Sequence, residues 1–192
     1  MDSPLDRFQQ WWNEALRDTP LQQKNAVCVS TIDEMGFPSG RFVDLKSVND
    51  SGFVFCTYID SVKGKEILRN PKVAMTVWWD HVGYQVRVVG VAEPIDEAEA
   101  DSYWTRRSRS AQLTTTAFEQ SQLQASEEEL DVKVKEASVQ FDGAEIPRPS
   151  NWGGFIVKPL SVEFLSFRQS RLHLRELYKQ EDKMWVKRLL QP

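Results

Sequence analysis

Three ionisable side chains recur at every second position near the end of the chain: Arg171, His173 and Arg175, with leucines between them. Successive side chains of an extended strand point to opposite faces. The sequence therefore predicts a strand over 171–178 with two guanidiniums and an imidazole on one face. Adjacent like charges cost free energy unless an anion or an electron-rich ring lies over them. This face is a candidate site for a phosphate or an aromatic ligand.

The alternative interpretation of this segment is an amphipathic edge strand whose cationic face is simply solvated. Two observations favour a binding site. The chain has only two histidines, and one of them lies in the middle of this face. The surrounding C-terminal region is aromatic and apolar, as expected of a core, with Phe155, Phe164, Phe167 and Trp185.

Composition excludes several classes of protein. The 192 residues fit one domain, and 41% hydrophobic with 27% charged residues is typical of a globular protein. A net charge of −4 disfavours general binding to nucleic acid or to an anionic membrane surface. Cys28 and Cys56 lack metal-ligand spacing, so we expect two buried free thiols, no metal and a reducing, cytoplasmic location. No apolar run is long enough to span a membrane.

The hydrophobic patterns predict a mainly β protein with a few helices. An amphipathic helix in the N-terminal segment 1–24 begins near Pro4, capped by Asp2 or Ser3. A short helix over 61–69 has Ile67 and Leu68 facing inward. The other predicted elements are strands at 26–31, 40–48, 52–57, 73–79 (buried on both faces), 84–93, 155–157, 162–167, 171–178 and 184–189, helices at 95–107 and 126–141, and a polar loop with some helix over 108–124.

Eight or nine short strands joined mostly by turns favour a closed or split antiparallel barrel. Dinucleotide-binding and P-loop motifs are absent, and neither a Ser/His/Asp set nor a zinc-ligand set is evident. The cations near strands and helix ends pair either with buried carboxylates or with a ligand carrying phosphate. They are Arg41, Lys46, Lys63, Arg87, Arg107, Arg109, Arg171 and Arg175.

Several ordered motifs resemble the pyridoxine (pyridoxamine) 5′-phosphate oxidase family, from about residue 25 to the end of the chain. In the C-terminal third they are Pro147-Arg148-Pro149, Trp152-Gly153-Gly154-Phe155, Glu163-Phe164, Arg171-Leu172-His173, Arg175 and the ending at 185–192. Upstream they are residues 41–46, 52–57, 61–64, 85–88, 103–109 and 120–121. The resemblance implies a single FMN-binding split β-barrel domain over 1–192, antiparallel and Greek-key-like, which forms a homodimer through residues 147–192 with FMN at the interface.

The resemblance also assigns roles to individual residues. The FMN contacts it implies are Arg41, Phe42, Val43, Lys46, Cys56, Thr57, Lys63, Gln85, Gln120, Ser121 and Arg175. The substrate contacts it implies are Lys46, Tyr103, Arg107, Arg171 and His173, of which Arg171 and His173 are the catalytic pair. The implied partners are therefore a phosphorylated B6 vitamer and a second copy of the chain.

The reaction that the resemblance implies is oxidation of pyridoxine or pyridoxamine 5′-phosphate to pyridoxal 5′-phosphate, by hydride transfer from C4′ to the flavin. Oxygen then reoxidises the flavin and hydrogen peroxide is released, with ammonia from the amine. Two alternatives stay open: an FMN oxidase of another substrate, as in phenazine biosynthesis, and a non-catalytic protein that binds flavin or pyridoxal phosphate.

The sequence departs from the family pattern at five positions. Val62 replaces an arginine that reaches the FMN phosphate, and Ala111 replaces a serine that bonds the substrate phosphate. Leu165, Leu174 and Asp44 replace a tryptophan, an acidic residue and an apolar residue. FMN binding is expected to survive these changes, because most of the implied contacts remain. The five changes bear instead on the identity of the substrate, which is the second ligand.

Overall fold

The computed structural model describes residues 3–17 and 19–192. Within them the helices are α1 (Pro4–Leu16), α2 (Val62–Arg69), α3 (Glu97–Thr105), α4 (Arg109–Ala117) and α5 (Glu128–Gln140), with a short 3-10 helix at Asp80–Val82. The strands are β1 (Ala26–Ile32), β2 (Pro38–Asn49), β3 (Gly52–Tyr58), β4 (Lys72–Trp79), β5 (Tyr84–Pro94), β6 (Trp152–Ser166), β7 (Leu174–Glu181) and β8 (Met184–Leu190).

The predicted barrel is confirmed. The strand order is β3-β2-β1-β4-β5-β6-β7-β8, and β3 also pairs with β6, which closes a six-stranded antiparallel barrel. β7 and β8 continue the sheet beyond β6 as an antiparallel hairpin. At the closure a Cβ on Gly52 would lie 2.1 Å from the Val157 carbonyl oxygen, so only glycine allows the two strands to approach this closely.

The chain divides into two compact units. One comprises Met1–Phe55, Glu66–Glu93 and Phe155–Pro192, and the other comprises Cys56–Lys65 and Pro94–Gly154. We call the first the barrel unit and the second the helical unit.

The barrel unit is organised around an aromatic core that α1 completes. Phe8 is fully buried and packs edge-on against Phe53 at 4.9 Å between ring centroids. Trp11 stacks on Tyr84 at 4.0 Å. The helix begins as predicted, because the Ser3 side chain accepts from the Leu5 backbone N–H. The alternative cap, Asp2, lies outside the described residues.

The helical unit is held by a pair of indoles. Trp104 of α3 meets Trp152 edge-on at 5.1 Å, and its Nε1 donates to the Ile146 carbonyl at 2.8 Å. Arg148 ties the segment after α5 to α3 through ion pairs with Glu97 and Asp101. None of the helices in residues 3–17 and 19–192 has the length and apolar character needed to cross a bilayer.

The most important correction concerns the predicted strand over 171–178. β7 begins only at Leu174, and Arg171 has a φ of 61°, which places it in a turn in the left-handed region. Arg171, His173 and Arg175 therefore do not form one row on a strand face. Only Arg175 lies on the strand.

Four further predictions about the elements are wrong. β4 is buried on one face and not on both, since burial alternates and Trp78 is 47% exposed. The strands predicted at 155–157 and 162–167 form the single strand β6. Leu68 faces outward, although Ile67 is buried. Cys28 and Cys56 form no disulfide, as expected, but both are partly exposed.

Candidate active site

A buried lysine organises the first group of predicted site residues, which lies in the helical unit. Lys63 is only 9% exposed. Its Nζ donates to Gln120 Oε1 at 2.8 Å, to Thr57 Oγ1 at 3.1 Å and to Ser61 Oγ at 3.4 Å. Thr57 also donates to Gln120 Oε1 at 3.0 Å. We call Thr57, Lys63 and Gln120 the lysine cluster. The structure thus brings together three of the predicted FMN contacts.

Local sequence explains why Lys63 is buried at the first turn of α2. Ser61 precedes the helix, and its Oγ accepts from the Gly64 N–H and donates to the Tyr58 carbonyl. A Cβ on Gly64 would lie 2.1 Å from the Ile59 carbonyl oxygen. The absence of that Cβ lets the first turn pack directly on the preceding backbone.

Two more predicted FMN contacts border the lysine cluster. Ser121 follows Gln120 in the turn after α4, with a φ of 76°, and its Oγ accepts from the Val62 N–H at 3.3 Å. Cys56 precedes Thr57 at the end of β3 and is partly exposed. The Val62 side chain is 51% exposed and carries no donor, so the cation at this helix start is Lys63.

A buried phenol fixes the position of α4 relative to the end of β3 in this unit. Tyr58 is 7% exposed, and its hydroxyl donates to the Thr115 carbonyl oxygen. Burial, reinforced by the negative charge of Asp60, raises the pKa of Tyr58 to about 12. The phenol is therefore neutral over the physiological range and acts as a hydrogen-bond donor.

Two predicted substrate contacts, Tyr103 and Arg107, lie in the same unit near the end of α3. The Arg107 guanidinium lies over the ring of Trp152 at 5.1 Å, and its Nη2 donates to Thr115 Oγ1 at 2.8 Å. Tyr103 is 9% exposed, and the Arg106 guanidinium lies 4.7 Å from its ring centroid. Both side chains are thus held by protein contacts within this unit.

In the barrel unit, β2 carries four predicted FMN contacts on its two opposite faces. Arg41 and Val43 share the face of buried Leu45, whereas Phe42 and Lys46 share the outward face. Phe42 is 74% exposed. Lys46 Nζ donates to Asp44 Oδ2 at 2.5 Å on that outward face.

Arg41 is engaged by a buried carboxylate. Its Nη2 lies 2.9 Å from Glu66 Oε2 and 2.8 Å from Ser39 Oγ, and its Nη1 donates to Thr31 Oγ1. Glu66 is 6% exposed and also accepts from Thr31 at 2.5 Å. Of the two partners that the sequence leaves open for its cations, a buried carboxylate or a phosphate, Arg41 has the buried carboxylate.

Arg175 on β7 and Gln85 on β5 complete the predicted FMN contacts. Arg175 Nε donates to Glu163 Oε1 at 2.8 Å, and its Nη1 donates to the Gln191 carbonyl at 3.1 Å. Arg87 of β5 forms an ion pair with the same carboxylate, with its Nη1 at 3.3 Å from Glu163 Oε2. Gln85 lies directly opposite Trp78 in the β4–β5 pairing.

The turn between β6 and β7 carries the two residues expected to be catalytic. Arg171 is exposed, and its N–H donates to the Arg168 carbonyl at 3.0 Å. His173 is partly buried, and its ring lies 4.7 Å from that of Phe167. Both residues precede β7, so neither lies on the strand face that the sequence predicts.

Sequence reasoning missed the acidic partners of these cations. Glu66 and Glu163 are both at least nine-tenths buried, and each bonds a predicted site arginine. For Glu163 the signal was a glutamate within the largely apolar strand β6, since carboxylates are almost never buried unless they are paired. Phe167 was assigned to the core, but it is 42% exposed and touches His173.

The chemistry of the lysine cluster fits FMN. FMN carries a phosphate, a chain of hydroxyls and a ring edge with donors and acceptors. A buried ammonium suits the phosphate, and the hydroxyls and side-chain amides suit the polar groups. The backbone N–H groups at the start of α2 add positive potential. No group of three potential metal ligands occurs among the residues that the structure describes.

The closed antiparallel barrel with its C-terminal hairpin is the fold of the FMN-binding split-barrel proteins. The pyridoxamine 5′-phosphate oxidase family model matches residues 13–141, and the model of the pyridoxine 5′-phosphate oxidase C-terminal dimerisation region matches residues 152–192. The chain belongs to the pyridoxamine 5′-phosphate oxidase family, whose cofactor is FMN.

Curated relatives match along almost the whole chain. A pyridoxine/pyridoxamine 5′-phosphate oxidase of Alcanivorax borkumensis is 38% identical, covering 100% of this chain and 91% of its own length. One of Rubrobacter xylanophilus is 41% identical, covering 98% of this chain and 87% of its own length.

Solved structures share the fold. PhzG of Burkholderia lata 383, crystallised in complex with tetrahydrophenazine-1-carboxylic acid, has a TM-score of 0.93 at 28% identity and covers 100% of this chain and 94% of its own. A pyridoxamine 5′-phosphate oxidase-related, FMN binding protein of Nostoc punctiforme has a TM-score of 0.80 at 16% identity, covering 100% and 98%. The second likeness concerns the fold alone.

Proposed function

We propose that the protein is an FMN-dependent oxidase that converts pyridoxine or pyridoxamine 5′-phosphate to pyridoxal 5′-phosphate. Molecular oxygen is the final acceptor, hydrogen peroxide is released, and the amine substrate also gives ammonia. The observation that carries the proposal is the presence of Arg171 and His173 in one turn of a net-acidic protein that belongs to this family. The names of the full-length relatives support it.

The proposed roles divide the site residues by ligand. FMN, when bound, supplies the two-electron acceptor for the substrate and passes the electrons to oxygen. The chain binds it through Arg41, Phe42, Val43, Lys46, Cys56, Thr57, Lys63, Gln85, Gln120, Ser121 and Arg175. Of these, Lys63 carries the positive charge of the buried lysine cluster.

The substrate is held by Lys46, Tyr103, Arg107, Arg171 and His173. Arg171 is exposed and offers several guanidinium donors, so it suits a phosphate. His173 orients the ring that is oxidised. Fixing the substrate against the cofactor lowers the entropic part of the barrier, which is the main contribution that the chain itself makes.

We also propose a homodimer that forms through residues 147–192, in which the whole chain acts as one functional domain. The family model of the dimerisation region supports it, since that model matches 152–192. The proposed location is the cytoplasm, which is consistent with two free thiols.

A related FMN oxidase of a different substrate is the second candidate. Two observations favour it: the TM-score of 0.93 to PhzG, and the pairing of Lys46 with Asp44, which places a carboxylate beside a proposed phosphate contact. Against it, a substrate without phosphate has no need of both Lys46 and Arg171.

Anaerobic reduction of the purified flavoprotein distinguishes the candidates. We expect pyridoxine or pyridoxamine 5′-phosphate to bleach the flavin absorbance, and admission of oxygen to restore it with formation of hydrogen peroxide. Bleaching by another organic reductant but by neither B6 phosphate would favour the second candidate. A bound flavin that no organic reductant bleaches would indicate a non-catalytic binding protein.

A further inference from the structure

A single backbone hydrogen bond defines which nitrogen of His173 carries a proton. The Arg168 N–H donates to His173 Nδ1 at 3.1 Å. A peptide N–H can only donate, so Nδ1 is the acceptor. In the neutral ring the proton then resides on Nε2. The ring therefore has its donor on the nitrogen that the turn does not use.

One aromatic side chain, Phe167, packs against the His173 ring, and a second, Trp78, packs against Phe167. The Phe167 ring lies 4.7 Å from that of His173, with the planes tilted by 51°. On another side it meets Trp78 edge-on at 4.8 Å. Phe167 and Trp78 are 42% and 47% exposed, so neither belongs to the core. We call these two residues the aromatic wall.

The aromatic wall is anchored to the barrel unit by its backbone. The Phe167 N–H donates to the Gly83 carbonyl at 2.9 Å, and Trp78 is part of β4. The Arg168 carbonyl accepts from the Arg171 N–H at 3.0 Å, which closes a tight turn two residues before His173. The Phe167 ring and the Arg168 N–H, which both contact His173, therefore belong to neighbouring residues of one short segment.

We propose that Phe167 and Trp78 are positioning residues that, together with the Arg168 N–H, hold His173 as the Nε2–H tautomer. His173 then presents a hydrogen-bond donor to an oxygen acceptor on the substrate. The identity of that substrate rests on the proposed function, whereas the tautomer is a property of the flavoprotein alone. A general base at this position would need an unprotonated Nε2, so His173 acts by orienting the substrate.

Nitrogen NMR of the imidazole tests the tautomer directly. The probe is the ¹⁵N-labelled flavoprotein without substrate, at a pH where the ring is neutral. The chain has only two histidines, so His81→Gln leaves a single ring in the spectrum. We expect a protonated-type shift at Nε2 and an unprotonated-type shift at Nδ1 of His173. A protonated-type shift at Nδ1 would overturn the proposal.

The aromatic wall is tested with Phe167→Ala, with Phe167→Tyr as the conservative variant. In Phe167→Ala we expect the two nitrogen shifts to move toward the average of both tautomers, and kcat/KM to fall about tenfold through lost orientation. Phe167→Tyr keeps the ring and should restore both. Leu172→Ala is the matched control, since Leu172 lies in the same turn and is 65% exposed.

The outcomes separate this inference from the proposed function. If Phe167→Ala and Leu172→Ala leave the shifts and kcat/KM equally unchanged, the aromatic wall has no positioning role. If the shifts behave as expected but no B6 phosphate bleaches the flavin, the proposed substrate is wrong and the orientation of His173 stands. If Phe167→Ala does not fold, Trp78→Leu removes the brace and leaves the ring to be measured.

Discussion

Asp44 accepts a hydrogen bond from Lys46 at 2.5 Å on the outward face of β2. Their side chains are 55% and 24% exposed, so solvent screens the pair strongly. Lys46 is a proposed contact of both FMN and the substrate phosphate. A carboxylate at this distance opposes the positive potential that a phosphate would meet there.

Asp44→Asn should therefore improve the binding of a phosphorylated substrate. Exposed ion pairs contribute about 0.2–1 kcal/mol, so we expect KM to fall by up to about fivefold with kcat unchanged. Glu93→Gln is the control, since Glu93 forms a similar exposed pair with Lys158. Steady-state kinetics at two salt concentrations measure the effect. An unchanged KM at low salt would mean that Lys46 does not contact the phosphate.

Lys63→Met should weaken FMN binding. Loss of charged hydrogen bonds costs about 1.5–3 kcal/mol, which corresponds to an increase in Kd of roughly 10- to 100-fold. Lys65→Met is the control, because Lys65 lies on the same helix but is exposed. Fluorescence titration of each apoprotein variant with FMN gives its Kd. Equal affinities for the two variants would remove Lys63 from the cofactor site.

Gly64→Ala should displace the first turn of α2, because the new Cβ would lie 2.1 Å from the Ile59 carbonyl oxygen. We expect FMN affinity and thermal stability both to fall. At Gly153 a new Cβ would meet Ile59 at 3.6 Å, an ordinary contact, so Gly153→Ala is the matched control. Thermal unfolding with and without FMN compares them. A Gly64→Ala protein as stable as the control would contradict the close approach.

Tyr58 should make stability depend on pH in the alkaline range. Its folded-state pKa is raised from 10.0 to about 12, so its contribution is fully present below pH 10 and is lost as the pH rises toward 12. Tyr58→Phe should flatten the fall of the unfolding free energy in that window. Spectroscopic titration of the four tyrosines should lose the component near pH 12. A component that persists in the variant would belong to another phenol.

Arg171→Ala should reduce turnover of a B6 phosphate far more than it reduces FMN retention. The loss of a charged contact to phosphate predicts a fall in kcat/KM of about 10- to 100-fold. Arg168→Ala is the control, because Arg168 has an equally exposed side chain in the same turn and keeps its backbone N–H. A variant that loses flavin but turns over normally per bound FMN would assign Arg171 to the cofactor.

Sequence periodicity predicted most elements because they bury one face. The stripe that contains Phe8 and Trp11 defines α1, and alternation through Val86 and Val88 defines the inner face of β5. Periodicity failed at 171–178, because residue types can alternate in a turn in the same way as they do in a strand. The positive φ of Arg171 depends on the turn between two paired strands, and residue types alone do not encode it.

The candidate site was predictable as a set of residue types but not as a set of partners. The family resemblance predicted Lys63, Thr57 and Gln120 as FMN contacts, and the structure places their side chains within hydrogen-bonding distance. The carboxylates that engage Arg41 and Arg175 are 25 and 12 positions away along the chain. Only the pairing of strands and helices brings them within bonding distance.

Glu163 of β6 is flanked by Arg87 of β5 and Arg175 of β7, so the charges read plus, minus, plus across three neighbouring strands. One carboxylate balances only one of the two guanidiniums, so these three residues together keep a surplus positive charge. Hydrogen bonds across the sheet make this pattern rigid before any ligand arrives. For the proposed contact of Arg175 with FMN, this means that the guanidinium would be oriented before the cofactor binds, so that little side-chain entropy would be lost.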